Sequence, residues 1–224
     1  MKRLRLFQSY DARKVFKNAC NRYDLVYFGQ VSQNVDEYKM VRGFTLSPSH
    51  VDRHYCVGTV ADKDVVLLER SDTISSPSKP SQHCTWIILK IDLLGKSPCH
   101  IVLNGHAYDA ITYEYLEIKY RSHHHLDAYQ LHGYDPEFMK QFRVYVPSHE
   151  LDTLRYLISP ETSAILGHHF GKLDFELVGD ELIVYLPTLR PQLDDIELML
   201  KGGLWLADII NNVIAPERSH TALQ

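Results

Sequence analysis

Two short alternating apolar runs, Leu173 to Val178 and Leu182 to Leu186, flank Gly179-Asp180 and are followed by an apolar stripe from about Gln192 to Ile214. Alternation with a period of two on either side of a Gly-Asp pair specifies a β-hairpin. Beyond it, Leu193, Ile196, Leu200, Gly203, Ala207, Ile210 and Ile214 recur at helical spacing. With the strand-like runs upstream, this order predicts an α+β fold: mostly antiparallel sheet, an N-terminal helix, two short mid-chain helices and a long C-terminal one.

The upstream elements follow the same rules. Residues 9–22 read as a helix with Val15, Ala19 and Tyr23 on one face and Phe16 beside them. Leu25 to Phe28, Val41 to Leu46 and Tyr55 to Val60 are rich in β-branched and aromatic residues and read as strands. Val57 to Val60 and Val65 to Leu68 form a second hairpin around Ala61 to Asp64, and Trp86 to Leu94 and His100 to Leu103 add two more strands. The Ser- and Pro-rich stretch 71–82 reads as an exposed loop. Residues 104–134 fit either a strand or an irregular helix. Phe142 to Val146 is a strand stopped by Pro147, after which Ser148 and Ser159-Pro160 each open a short helix. One domain is expected over 1–216, with a flexible tail at 217–224.

Composition narrows the function classes. A formal charge of -4 argues against a general nucleic-acid binder, which needs a dense basic face. The basic start, Lys2, Arg3 and Arg5, is too short to change that. Cys20, Cys56, Cys84 and Cys99 form no C-x-x-C pair, and Met1 to Phe7 lacks the apolar stretch of a signal peptide. The expectation is therefore four free thiols in a cytoplasmic protein. Membrane spanning is not expected, because no run reaches the roughly 18 apolar residues a helix needs to cross a bilayer.

The segment Asp135-Pro136-Glu137-Phe138-Met139-Lys140-Gln141-Phe142-Arg143-Val144-Tyr145, then Arg155 to Pro160, then the closing hairpin, resembles a bacterial membrane-associated family of unknown function. That family carries a D-P-x-F-x-x-x-F-x-V-Y segment, an R-x-L-x-(T/S)-P helix start and a closing hairpin. The resemblance implies an α+β fold and brings no catalytic residue. Family members often carry apolar membrane segments near the N-terminus, and this chain has none there.

Candidate sites are few. Thirteen histidines raise the question of a divalent metal, with His50 and His54 at i, i+4 and the adjacent pair His168 and His169 as candidate ligands. The spacing lacks the general-base Glu of H-E-x-x-H enzymes, and the run His123-His124-His125 would alternate between faces in an extended chain. Convergence of three or more of His50, His54, His100, His106, His168 and His169 with a carboxylate would mark a metal-dependent hydrolase. No nucleophile elbow, P-loop or dinucleotide fingerprint occurs. Asp194, Asp195 and Glu197 suit a helix start, and Gly202-Gly203 marks either a kink or a close helix crossing. Tyr108, Tyr113, Tyr115, Tyr120 and Tyr129, interleaved with histidines, make a candidate binding surface, as does Trp205 in the last helix.

The expected function is that of a non-enzymatic binding or scaffold module, requiring no cofactor. Its expected partner is another protein or a second copy docked on the apolar helix 192–214. The alternatives are the metal-dependent hydrolase and a peripheral membrane-associated protein.

Overall fold

The computed structural model describes residues 2–30, 41–76, 79–105 and 110–215. Helix α1 (Lys2–Arg22) leads into strands β1 (Val26–Gly29), β2 (Val51–Val60), β3 (Lys63–Ser76), β4 (Lys79–Asp92) and β5 (Ile101–Asn104). Helix α2 (Ala110–Lys119), β6 (His123–His125), α3 (Pro136–Gln141) and β7 (Arg143–Pro147) follow. The chain closes with α4 (Leu151–Leu157), α5 (Pro160–His169), β8 (Asp174–Val178), β9 (Glu181–Pro187) and α6 (Leu193–Ile214). Among the described residues the strands form one nine-stranded sheet in the order β1-β2-β3-β4-β9-β8-β5-β7-β6, each pair antiparallel. The fold is α+β.

Alternation along the strands feeds two cores. On one face Leu67, Leu89, Ile91, Phe175, Leu177 and Val184 are buried with Phe16 of α1 and Ile196, Met199 and Leu206 of α6. On the other, Val66, Leu68, Ile88, Val102, Ile183 and Tyr185 pack with Leu116 of α2 and with Val41 and Phe44. Both faces are therefore covered, and a polar residue at an alternate position is not necessarily in water.

The Ser159-Pro160 helix start and the Gly179-Asp180 turn are realised. Ser159 accepts a hydrogen bond from the Thr162 amide at 3.2 Å, with Pro160 in the first turn of α5. Val178 pairs with Glu181 around Gly179-Asp180. The β2–β3 turn is tighter than expected: Val60 pairs with Lys63, and Ala61 and Asp62 take φ of 48° and 61°, the left-handed pair that suits a two-residue hairpin.

Other expectations are corrected. Val41 to Leu46 is not a strand but a bent segment lying over the sheet. Gly43, at φ 72°, presses so close that a Cβ would overlap the Tyr185 hydroxyl and the Glu176 carboxylate. The stretch 71–82 is not a loop, since β3 and β4 extend through it and pair from Val65↔Ile91 to Ser76↔Lys79. Within it, Ser71, Thr73, Ile74 and Ser76 accept sheet pairing because the partner strand supplies it. Ser148 does not cap α4, whose N-cap is Glu150 without a side-chain cap bond. Helix α3 was not anticipated, although Asp135 accepts from the Glu137 amide at 2.8 Å and Pro136 sits in its first turn, both recognised start signals. In α1 the buried stripe is Ala12, Phe16, Ala19 and Cys20, with Val15 and Tyr23 only partly covered.

Gly202 and Gly203 mark a close crossing, and α6 runs through them unbroken. A Cβ on Gly203 would lie 2.8 Å from Ile91 Cδ1 and 3.0 Å from Val184 Cγ2, and one on Gly202 would lie 2.8 Å from the Phe170 ring. The helix therefore approaches β4 and β9 more closely than any side chain there would allow.

The four-free-thiol expectation is overturned. Cys20 of α1 and Cys56 of β2 form a disulfide, buried at 2% and 0% exposure, with Cys84 and Cys99 in no disulfide. The expected tail at 217–224 lies outside the described residues.

Candidate binding site at the β6 end of the sheet

The second face of the sheet carries several buried charges. Glu176 of β8 is fully buried, and each carboxylate oxygen accepts two hydrogen bonds. Oε1 takes His100 Nε2 at 2.8 Å and the Tyr120 hydroxyl at 2.5 Å; Oε2 takes the Tyr185 hydroxyl at 2.6 Å and the Phe44 amide at 2.7 Å. Burial alone would raise its pKa, but His100, Tyr120 and Tyr185 outweigh burial and hold it below the ordinary value. Tyr185 is pushed the other way, first by burial and then by the Glu176 charge.

Two cations fasten the 41–46 segment above this carboxylate. Lys119 Nζ donates to the carbonyls of Gly43, Phe44 and Leu46 at 2.9, 2.7 and 2.7 Å. Arg70 donates to the carbonyls of Val41 and Arg42 at 2.7 and 3.0 Å and to Thr45 Oγ1 at 3.1 Å. Such donors replace the ladder partners that a strand at 41–46 would have had.

Toward the β6 edge the cluster opens. His100 stands edge-on to Tyr120 and to His123, with ring centroids 4.6 and 4.5 Å apart. Burial and the neighbouring His100 lower the pKa of His123 to about 4, and its buried Nε2 has no hydrogen-bond partner among the described residues. Two positions along β6, His125 lies against the Tyr145 ring at 5.5 Å. His123 and His125 share a face, as an extended chain requires.

Beyond His125 a cavity of about 290 Å³ lies between the turn after β6 and the α3–β7 junction. Leu126, Leu131, Met139 and Phe142 form its apolar part, with Lys140 and Arg143 among its polar residues. Asp135 capping and the buried Phe138 fix α3, and pairing of His125 with Tyr145 fixes β6 against β7. One wall is thus held by α3 and β7, and the other is the turn that follows β6.

The sequence candidates are scattered. Tyr120 belongs to the Glu176 cluster, whereas Tyr129 is 88% exposed. Tyr113 and Tyr115 fall on α2, and Tyr108 and His106 lie outside the described residues. Trp205 is half-buried and stacks on Phe170 at 5.6 Å, an internal contact of α6.

The candidate metal ligands also part. His50 hydrogen-bonds the Ser47 carbonyl, while His54 sits at a bulge with φ 59° and stacks on Phe16. His168 lies 3.6 Å from Asp135 and His169 faces Phe170. Among the described residues no group of three or more His, Cys, Asp or Glu has the arrangement to hold a metal ion. Sequence reasoning missed Glu176, Lys140 and Arg143. Glu176 left one trace, an acidic residue between Phe175 and Leu177.

No protein-family model and no curated protein matches this chain. Its fold is similar to that of a mycobacterial transport factor. The match is to the crystal structure of the mycobacterial trehalose monomycolate transport factor A, TtfA, at a TM-score of 0.58. It covers 91% of this chain and 94% of that one, at 10% sequence identity. At that identity the likeness establishes shared architecture alone.

Proposed function

We propose that this protein is a non-catalytic binding module whose ligand-facing region is the β6 end of the sheet. The observation that carries the reading is the saturation of Glu176. A carboxylate offers about four acceptor positions, and here each is taken by an internal donor. Glu176 therefore has no lone pair with which to take a proton from a substrate or bind a metal, and it serves to orient His100, Tyr120 and Tyr185. Burial pushes the Cys99 thiol up to about 12, which makes it a poor nucleophile at neutral pH.

TtfA is named as a transport factor, and a non-catalytic role of that general kind fits the present geometry. Along 192–214, Ile196, Met199, Leu200, Leu206, Ala207 and Ile210 are buried within the chain's own fold, so docking of a second copy there would use the partly buried Leu193, Leu204 and Trp205. No helix among the described residues is long and apolar enough to cross a membrane. The Cys20–Cys56 disulfide favours an oxidising compartment over the cytoplasm.

The test is a paired screen of the full chain, with and without added zinc or manganese. Chromogenic ester, phosphate and peptide substrates report turnover, and thermal shift against small acids, sugars and lipids reports binding. Ligand-dependent stabilisation without turnover is expected. Turnover that disappears in His100→Ala would replace the binding reading with an enzymatic one.

A further inference from the structure

We propose that β6 is an acid-released strap: protonation of His123 detaches it from β7 and uncovers the His100–Tyr120 side of the buried cluster. This goes beyond the binding-module reading and holds with or without a ligand. The strand is attached by little. It is three residues long, lies at the sheet's edge and pairs with β7 alone, as His123↔Pro147, His124↔Val146 and His125↔Tyr145. Just past the strand, the Leu126 amide donates to the Val144 carbonyl at 2.9 Å. Directly bonded pairs alternate along an antiparallel ladder, so within β6 the bonded pair is His124↔Val146. Leu126, 4% exposed, anchors one end of the strap, and the bond from the His123 amide to the Tyr120 carbonyl at 2.9 Å closes the turn at the other.

His123 is the ring that β6 turns inward. It stands edge-on to His100 at 4.5 Å and lies 5.1 Å from the Tyr120 ring. Its Nε2 is buried without a hydrogen-bond partner among the described residues. An imidazolium donates from both ring nitrogens, so a proton arriving there places a charged N–H where no acceptor stands. In the detached strand water supplies the acceptor.

The surrounding charges do not offset this. Burial first, then His100 and the adjacent His124, disfavour charge on His123; a hydrogen bond to the His100 backbone and Glu176 of β8 favour it and are outweighed. The Glu176 oxygens are already taken by His100, Tyr120, Tyr185 and Phe44. Lys119, at the end of α2, places another cation 6.0 Å from the Tyr120 ring. Around the exposed His125, burial of part of the ring and Arg143 of β7 disfavour charge, against Glu117 of α2 and Asp127 of the following turn. His125 therefore adds to the response in the same direction.

Linkage gives the sign. In the closed strand His123 is held at about 4, and in the detached strand it returns to 6.5. The detached form therefore binds the proton first, and acid favours release. The open-to-closed ratio rises by up to about tenfold per pH unit as pH falls from 6.5 toward 4. A short edge strand opens locally, without the rest of the sheet.

The experiment is amide hydrogen exchange on the full chain, read by NMR as protection factors from about pH 7 to about pH 4.5. Ile88, Leu89, Val184 and Tyr185, paired at the sheet centre, serve as the reference. Protection at His124 and Val146 should fall at least about tenfold over that range while the reference amides hold. His123→Phe keeps a ring in place without the titration and should reduce the loss to about threefold or less. Protection at His124 and Val146 that is independent of pH, or that falls only in step with the reference, overturns the strap. So does a loss as steep in His123→Phe as in the unsubstituted chain. The unsubstituted chain decides by itself if the variant does not fold: a His123 ring that titrates at the ordinary 6.5 with β6 still protected also overturns it. The binding-module reading is decided separately, by the turnover and thermal-shift screen.

Discussion

Arg70 of β3 and Asp52 of β2 are cross-strand partners joined by two hydrogen bonds, Nε to Oδ1 at 2.7 Å and Nη2 to Oδ2 at 2.8 Å, with exposures of 1% and 3%. The remaining Arg70 donors hold Val41, Arg42 and Thr45, so all five of its N–H groups are used. Removing one partner leaves a buried charge without compensation. Arg70→Met should therefore destabilise the protein by about 3–5 kcal/mol in urea unfolding, and adding Asp52→Asn should recover part of that loss. A loss below about 1 kcal/mol would mean that water reaches the pair.

Glu176 ties stability to acidity. Its folded pKa lies below the ordinary value, so the unfolded chain takes up the proton first. The stabilisation is present above the usual carboxylate pKa of 4.5 and is lost as pH falls through the lower folded value. Glu176→Gln replaces an acceptor oxygen with an NH₂ group facing donors and should cost about 2–3 kcal/mol at neutral pH. Its stability should also fall less steeply in acid. An unchanged acid limb would show that other carboxylates govern it.

His54 and His123 give a second, separate window. Burial is the main cause lowering each to about 4 from the ordinary 6.5, with nearby positive groups adding to it. The folded protein thus keeps both neutral while the unfolded chain protonates them. Stability should decline as pH falls from 6.5 toward 4. His54→Asn retains a residue tolerant of the positive φ and should make that decline shallower, measured as the pH slope of the unfolding free energy.

The disulfide is directly countable. Denatured, unreduced protein should show two reactive thiols from its four cysteines. The bond joins residues 36 apart in sequence, and loop-closure entropy assigns a crosslink of that span about 3–4 kcal/mol. Cys20→Ser/Cys56→Ser should lower the melting temperature accordingly. Four titratable thiols in protein isolated under oxidising conditions would remove both the bond and the compartment argument.

Gly203 is where α6 meets the sheet. Gly203→Val would drive methyl groups into Ile91, Val184 and Leu89 and should cost about 1–3 kcal/mol by overpacking. On an exposed helix surface the same change would gain a little from helix propensity. A stabilised variant would therefore show that α6 can lift from β4 and β9 without loss.

The sequence by itself determined what depends on neighbours within a few residues. The Gly179-Asp180 turn, the Ser159-Pro160 helix start and the period of 192–214 each encode local geometry, and each is present in the structure. Asp135-Pro136 carries the same kind of signal for α3 and is legible in the sequence. Tertiary structure decided the rest. Val41 to Leu46 has strand composition, yet Arg70, Lys119 and Glu176, distant in sequence, satisfy its backbone and bend it over the sheet. Cys20 and Cys56 pair only because α1 folds back onto β2. Glu176 sits at an alternate strand position that suggests solvent, but with both sheet faces covered, alternation separates two cores rather than inside from outside. The candidate site is equally non-local: Leu126, Lys140 and Arg143 become one cavity wall only when β6 docks on β7 and α3 closes beside them.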